Sequence, residues 1–344
     1  METQQAQSPR RYSFEFTGNG FEYFKIWIVN ICLTLLTLGI YSAWAKVRTQ
    51  RYFYGNTRLA GSGFDYLAQP LQILKGRLIA VAVLVIYTLL TEASPVAAAA
   101  VGVTFYVMLP WIVVKALAFR ARYSAYRNIR FYFNQNYMQA FKVYILLPVL
   151  VAMTMGLMYP FLKHRMSRFV VNNSAYGKTF FFMKAEVGEF YGVYIKALLL
   201  FLGTAIAAAL LFAAVAQIDA LKGSQLLISV VIAGVYFVAY AFITTHIANL
   251  VYGTATLGEG STYRFASELD VMQMAWLYLS NTLGIILTLG LFIPWAKVRM
   301  AHYRAATLWL EANADLDRFI AVEQESATSI GEEIGEVFDV QLGI

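Results

Sequence analysis

Cysteine is almost absent from this chain. Cys32 stands alone inside an apolar run, so no internal disulfide can form and dithiol redox chemistry has nothing to work with. Charge is scarce as well. Asp, Glu, Lys and Arg make up 14% of the 344 residues, against about 25% in ordinary soluble domains. Only three histidines occur, His164, His246 and His302, and none has carboxylates or thiols at ligand spacing, so the sequence offers no metal set. There is no H-E-x-x-H, no Walker A loop and no G-x-S-x-G elbow. With no nucleophile–base pair visible either, the chain reads as a non-enzyme that needs no cofactor. The first twenty residues are polar and lack a short apolar core with a small-residue cleavage site, so no removable signal is expected.

What the chain has in abundance is apolar length. Hydrophobic residues are 59% of the total, and runs approaching the ~20 residues needed to cross a ~30 Å hydrocarbon core recur along it. Seven stand out: Phe21–Tyr41, Leu78–Thr91, Val96–Ala118, Tyr137–Tyr159, Tyr194–Ile218, Leu226–Tyr252 and Val271–Ile293. This composition predicts an integral, multi-spanning membrane protein.

The charge that does occur is unevenly placed. Beyond Leu310 the tail carries nine carboxylates against Arg318 alone, while the rest of the chain is strongly basic. Lys and Arg flanking apolar runs suit anionic lipid headgroups, each contributing roughly 1 kcal/mol near the surface. Membrane lipids are therefore the expected partners. Nucleic acid is not, because no binding module accompanies the basic charge. A protein partner for the acidic tail is a further expectation, with Ile330, Ile334, Val337 and Phe338 spaced for a short amphipathic helix.

The chain also repeats itself. Leu36-Thr37-Leu38-Gly39-Ile40-Tyr41-Ser42-Ala43-Trp44-Ala45-Lys46-Val47-Arg48 returns at an offset of 251 residues as Leu287 to Arg299, with Trp295, Lys297 and Arg299 on the same positions. At an offset of 117, Thr37, Gly39, Lys46, Arg48, Arg51 and Asn56 fall on Thr154, Gly156, Lys163, Arg165, Arg168 and Asn173. Three copies result, near 11–66, 128–183 and 262–310, the middle one degenerate. A second pattern occurs five times: a Phe followed eight residues later by Glu or Gln. It appears as Phe14/Glu22, Phe64/Gln72, Phe131/Gln139, Phe181/Glu189 and Phe265/Gln273, each just before an apolar run.

Local structure follows from these units. Phe14-Glu15-Phe16 and Phe64-Asp65-Tyr66 alternate with period two and precede turn residues, which predicts short extended segments at the membrane surface. Gly39 suits a helix C′ position and Ser42 an N-cap, predicting a break near 39–42 and a new helix from about 43 to 54. Trp44, Val47 and Tyr54 are expected to face lipid, and Lys46, Arg48 and Arg51 to face water or phosphate. Trp44, Lys46, Arg48, Lys163, Arg165, Trp295, Lys297 and Arg299 are thus the candidate lipid or anion contacts, with plain positive-inside anchoring as the simpler account. Asn30 and Asn281 are repeat-equivalent and lie mid-run, where they can line a polar path or hydrogen-bond between helices. The degenerate copy has Leu147 at that position.

The run FEFTGNGFEYFKIWIVN, continued by LTLGIYSAWAKVR, RYFYGNTRLAGSGFDY and ILKGRLIA, resembles the YjgN family of bacterial inner-membrane proteins, domain of unknown function 898. The likeness covers nearly the whole chain, including Gly335-Glu336-Val337-Phe338-Asp339-Val340. In the middle copy Phe161-Leu162-Lys163-His164-Arg165 departs from the WAKVR wording. The resemblance implies a polytopic protein of the inner membrane and brings no reaction, substrate or functional residue with it.

The expected fold is an all-α polytopic membrane protein with three internal repeats and about seven transmembrane helices. The alternative has four spanning segments, with the three repeat copies re-entrant or interfacial. That version gathers nearly every Lys and Arg on one side, as the positive-inside rule prefers, but places irregular backbone at membrane depth. The chain divides into a polar segment 1–20, repeat 1 over 21–127, degenerate repeat 2 over 128–261, partial repeat 3 over 262–310, and an acidic tail 311–344 expected in the cytoplasm. Three function classes stay open, in this order: a scaffold or accessory protein acting through its basic face and acidic tail, a transporter or channel for a small solute, and a membrane enzyme.

Overall fold

The computed structural model describes residues 10–215, 225–258, 260 and 262–325. Its centre is a closed antiparallel barrel of ten short strands. Five units of the form strand, helical hairpin, strand supply them. The first unit is β1 (Arg10–Phe16), α1 (Gly20–Leu36), α2 (Ser42–Asn56) and β2 (Thr57–Leu59). The second is β3 (Ser62–Tyr66), α3 (Pro70–Ala93), α4 (Pro95–Arg122) and β4 (Ser124–Tyr126). In the third, β5 (Ile129–Phe133) leads into α5 (Tyr137–Phe141), a π-helical turn (Lys142–Leu146) and α6 (Leu147–Met153), then α7 (Tyr159–Asn172) and β6 (Ser174–Tyr176). The fourth is β7 (Thr179–Met183), α8 (Val187–Val215), α9 (Gln225–Gly253) and β8 (Ala255–Leu257). The fifth is β9 (Tyr263–Ser267), α10 (Val271–Leu287), α11 (Ile293–Ala306) and β10 (Leu308–Ala312), which pairs with β1 and closes the ring. Because neighbouring strands are antiparallel, every hairpin leaves from the same rim of the barrel.

The expectation of an all-α fold is therefore corrected. The extended segments are not isolated pieces at the surface but the walls of one barrel. Their length hid this: most have only three to five residues, and the barrel holds because closure leaves no edge unpaired. Each hairpin is also clipped at its base by one backbone bond between entry and exit. The five are Thr17 N to Asn56 O (2.9 Å), Leu67 to Tyr123 (2.8 Å), Asn134 to Asn173 (2.7 Å), Lys184 to Thr254 (3.1 Å) and Glu268 to Thr307 (3.0 Å).

The expected seven spans are corrected to four. Among the described residues, the helices long and apolar enough to cross a membrane are Pro70–Glu92, Pro95–Arg122, Val187–Leu210 and Gly234–Gly253, the two hairpins of units 2 and 4. The apolar runs starting at Phe21, Tyr137 and Val271 each contain a reversal instead. In α1, Gly39 N–H bonds Thr34 O at 2.8 Å, a Schellman closure made by Leu38 and Gly39 at φ 49 and 92°. The Thr37 hydroxyl donates to Leu33 O at 2.7 Å and accepts from Tyr41 N at 2.9 Å, capping both helices at once. Thr154–Met155–Gly156 and Thr288–Leu289–Gly290 repeat the geometry, with Gly N–H bonds of 2.8 and 2.7 Å. Ser42 is therefore not the N-cap: Tyr41 holds that position with no capping side chain of its own, its N–H bound by Thr37, and the Ser42 hydroxyl turns back to Gly39 O. The tips are apolar and bare: Leu38, Met155 and Leu289 are 95–96% exposed. A turn with its polar backbone satisfied internally and an apolar outside is one that hydrocarbon tolerates.

Between adjacent hairpins lie wedges of core. Val47, expected toward lipid, is buried in one of them with Ala43, Tyr66 and Ile73, and Trp44 and Tyr54 pack against the same cluster. Equivalent wedges centre on Phe133 and Phe169, on Met183 and Phe190, and on Met274. A final helical segment, 316–325, covers the end of the barrel opposite the hairpins. The expected amphipathic stretch at Ile330, Ile334, Val337 and Phe338 lies outside the described residues.

Candidate functional site

The five-fold Phe pattern resolves into one layer of the barrel. Phe14, Phe64, Phe131, Phe181 and Phe265 sit on the first strand of each unit and face inward. Their rings form a closed pentagon with neighbouring centroids 5.9–6.5 Å apart. Opposite them across the ladder stand Leu59, Tyr126, Tyr176, Leu257 and Leu310, one on each second strand. The partner residue eight positions on from each Phe falls in the first turn of the following helix. There the Gln72 side chain accepts from Gln69 N–H, and Glu189 from Glu186 N–H at 2.7 Å, the reciprocal arm of a capping box. One sequence pattern thus fixes both a lumen position and a helix start.

The Phe ring girdles an axial chamber of about 350 Å³. Its wall runs from Val170 and Val251 at the hairpin end to Leu316 and Phe319 at the other, and among the described residues no charged side chain lines it. Burial pushes the phenols of Tyr126 and Tyr176 up from their ordinary value, so they stay neutral. Phe64, Phe131, Val170 and Ser174 are shared with a second space of about 630 Å³, framed by the barrel-proximal ends of α2, α4, α7 and α9. Arg120 and Lys163 line this vestibule.

Segment 316–325 closes the far end. Leu316 and Ile320 join the barrel core, and the Phe319 ring lies 4.7 Å from that of Tyr263. Asp317 pairs with Arg127, and the Tyr263 hydroxyl donates to Asp315 O at 3.1 Å. The Glu323 carboxylate accepts from Lys178 N–H at 2.8 Å and from the Thr179 hydroxyl. Gly177 is required here: its φ is +58°, and a Cβ would collide with the Glu323 carboxylate.

The residues singled out in the sequence fall elsewhere, and some of them meet. Asn30 and Asn281 are buried inside the first and fifth hairpins, each donating to a carbonyl of the return helix, Ala45 O and Ala296 O, at 3.4 Å. Their side-chain oxygens accept from Arg48 at 3.4 Å and from Arg299 at 2.8 Å. Arg299 also reaches the Ser280 hydroxyl at 3.2 Å, and Arg48 the Tyr41 hydroxyl at 3.1 Å. The geometry is an interhelical hydrogen bond that ties the first and the fifth hairpin together. In the third hairpin, where Leu147 replaces Asn, Arg165 lies over the Phe161 ring at 4.9 Å instead. Trp44 stacks near Tyr41 at 6.1 Å, and Trp295 packs on Phe24 at 5.1 Å. Lys46 is exposed, Lys297 lies 5.9 Å from the Tyr23 ring, and Lys163 alone of the three equivalent lysines lines the vestibule. Sequence reasoning did not single out Arg120, the Phe lumen or segment 316–325, although the five Phe positions were visible. Among the described residues no cluster of three His, Cys, Asp or Glu side chains could hold a metal.

Comparison with known proteins agrees with this architecture's membrane character. The family described as "Bacterial protein of unknown function (DUF898)" matches residues 11–337. The chain is 31% identical over 149 residues to inner membrane protein YjgN of Escherichia coli strain K12, and equally so to that of Escherichia coli O157:H7. It is 32% identical over 145 residues to the protein of that name from Salmonella typhimurium strain LT2. These stretches cover 41–43% of this chain but only 36–37% of the relatives' own length. No solved structure matches. With the family's match extending from β1 through the closing segment, the chain belongs to the DUF898 family of bacterial proteins.

Proposed function

We propose that the protein handles membrane lipid: the axial chamber houses the apolar chain of an amphiphile drawn from the bilayer of the inner membrane, with barrel and C-terminus on the cytoplasmic side. The observation that carries this is the lining. A cavity of about 350 Å³ walled by Phe, Leu, Tyr and Val side chains, with no charged group, lies within the size range of small-molecule sites. Water and ions gain nothing there, and hydrophobic constrictions of this kind exclude them, which favours a chain-binding role over passage of a polar solute. The chamber meets the vestibule through shared wall residues, and α4 and α9, two of the candidate spans, frame that vestibule. The acidic tail carries less of the reading, since Asp317 and Glu323 are engaged by the barrel itself. The cytoplasmic orientation draws on Lys297, Arg299 and Arg304, which lie in the helix just before β10.

The test is the lipid retained by protein purified in mild detergent, measured by native mass spectrometry. Phe131→Arg puts a charge into the Phe layer, and Leu257→Trp fills the chamber with apolar bulk. Ser13→Arg, on the exposed outer face of β1, is the control. Lumen variants are expected to lose bound lipid while the control keeps it. Equal retention in all four proteins would sink the reading.

A further inference from the structure

At its hairpin end the chamber shares wall residues with the vestibule, among them Phe64, Phe131 and Val170. Its far end is covered by Leu316, Phe319 and Ile320, so an amphiphile with its chain in the barrel carries its head at the hairpin end, in the vestibule. Among the described residues, the charged groups there are Arg120 of α4 and Lys163 of α7, and no carboxylate lines the space. Neither cation's side chain has a hydrogen bond or ion pair among the described residues, whereas Arg48, Arg51, Arg127 and Arg299 all have hydrogen-bonding partners. Arg120 lies four residues before β4 and Lys163 eleven before β6, so at 1.5 Å per residue they stand about 6 and 16 Å above the barrel rim. Lys46 and Lys297, the repeat equivalents of Lys163, do not line the vestibule. The cations are thus gathered on the side of units 2 and 3, which a symmetric device for anchoring in the membrane does not require.

We infer that the vestibule is a headgroup site for an anionic amphiphile, its phosphate or carboxylate held by Arg120 and Lys163 while its chain occupies the Phe-lined chamber. This rests on the chamber reading above and adds the charge of the ligand to it. Arg offers a planar fork of donors to an oxyanion and Lys a point charge on a flexible stem, a pairing suited to a head of variable size.

The experiment uses the full-length protein in phosphatidylcholine nanodiscs and four probes: hexadecyl phosphate, palmitate, hexadecanol and inorganic phosphate. Both anionic chains are expected to bind about tenfold more tightly than hexadecanol, equivalent to ~1.4 kcal/mol. The preference is expected to vanish in Arg120→Gln/Lys163→Gln, and to persist in Arg120→Lys/Lys163→Arg and in Lys46→Gln/Lys297→Gln. Inorganic phosphate at millimolar concentration is expected not to compete. Equal binding of the three chains to the wild type overturns the headgroup site and leaves the chamber standing. So does selectivity that survives the double Gln variant. If inorganic phosphate binds as tightly as hexadecyl phosphate, the ligand is a free anion and the amphiphile assignment falls. Failure of every chain to bind removes the chamber reading itself.

Discussion

The short hairpins of units 1, 3 and 5 and the long ones of units 2 and 4 share a frame and differ in everything above it. Both kinds start from an inward Phe, enter a helix through a capped first turn and are clipped at the base by one backbone bond. The short ones then reverse at a Thr–x–Gly tip, and the first and fifth are tied internally by Asn and Arg. The long ones cross as apolar rods with little packing: in α3 and α4 only 6% of the most hydropathic window is buried. The barrel therefore specifies where a hairpin begins, and the hairpin alone specifies how deep it goes.

Topology gives the largest test of that contrast. With Cys32 replaced, Arg58→Cys and Lys178→Cys are expected to be labelled from the same face of the membrane, since the two crossings between them, α3 and α4, return the chain to the barrel. Labelling from opposite faces breaks the distinction between the two hairpin classes. Next comes tip depth. Leu38→Asp or Leu289→Asp is expected to cost about 3 kcal/mol if the tip lies in hydrocarbon, seen as a fall in folded yield. A neutral result places the tips in water.

The internal tie is worth less. Asn281→Leu leaves the Arg299 guanidinium only its Ser280 partner and is expected to lower stability by about 1 kcal/mol, with Asn30→Leu weaker because its bond to Arg48 is longer. Thermal unfolding in detergent reads both, and equal losses would argue that the Asn–Arg bond is not what matters. The smallest effect sharpens the comparison at glycine. Gly290→Ala meets φ +94° and is expected to destabilise, whereas Gly76→Ala and Gly102→Ala, in open helix positions of the long hairpins, are expected to gain ~0.5 kcal/mol.

Much of this was legible in the sequence, and the parts that were not share a cause. Three copies of the basic motif mark the three short hairpins, and the five Phe positions mark all five units. Among the described residues four helices are long and apolar enough to span, the number in the alternative arrangement, and each of the three repeat copies contains a reversal. Apolar length misled because it measures composition and not direction. Thr37, Leu38 and Gly39 reverse the chain without any charge or proline to announce it, and an exposed tip of Leu38 and Ile40 reads like the middle of a span. The barrel was hidden because its strands are too short to show alternation singly, and because β1 meets β10 across nearly the whole chain. Of the site, Lys163 was visible as a repeated lysine. Its difference from Lys46 and Lys297 depends on which helix stands opposite, which one strand of sequence does not reveal.

The seam between β1 and β10 also orders the protein's birth. Synthesis delivers Arg10–Phe16 before the five hairpins and Leu308–Ala312 after them, so all five hairpins leave the ribosome before the ring can shut. Until then the Phe layer is an open, greasy arc at the membrane face, and β10 must slot between β1 and β9 to complete it. Segment 316–325 follows at once and seats on the finished ring. Whatever occupies the lumen of a newly made molecule is thus present when the wall closes, or enters later past the hairpins.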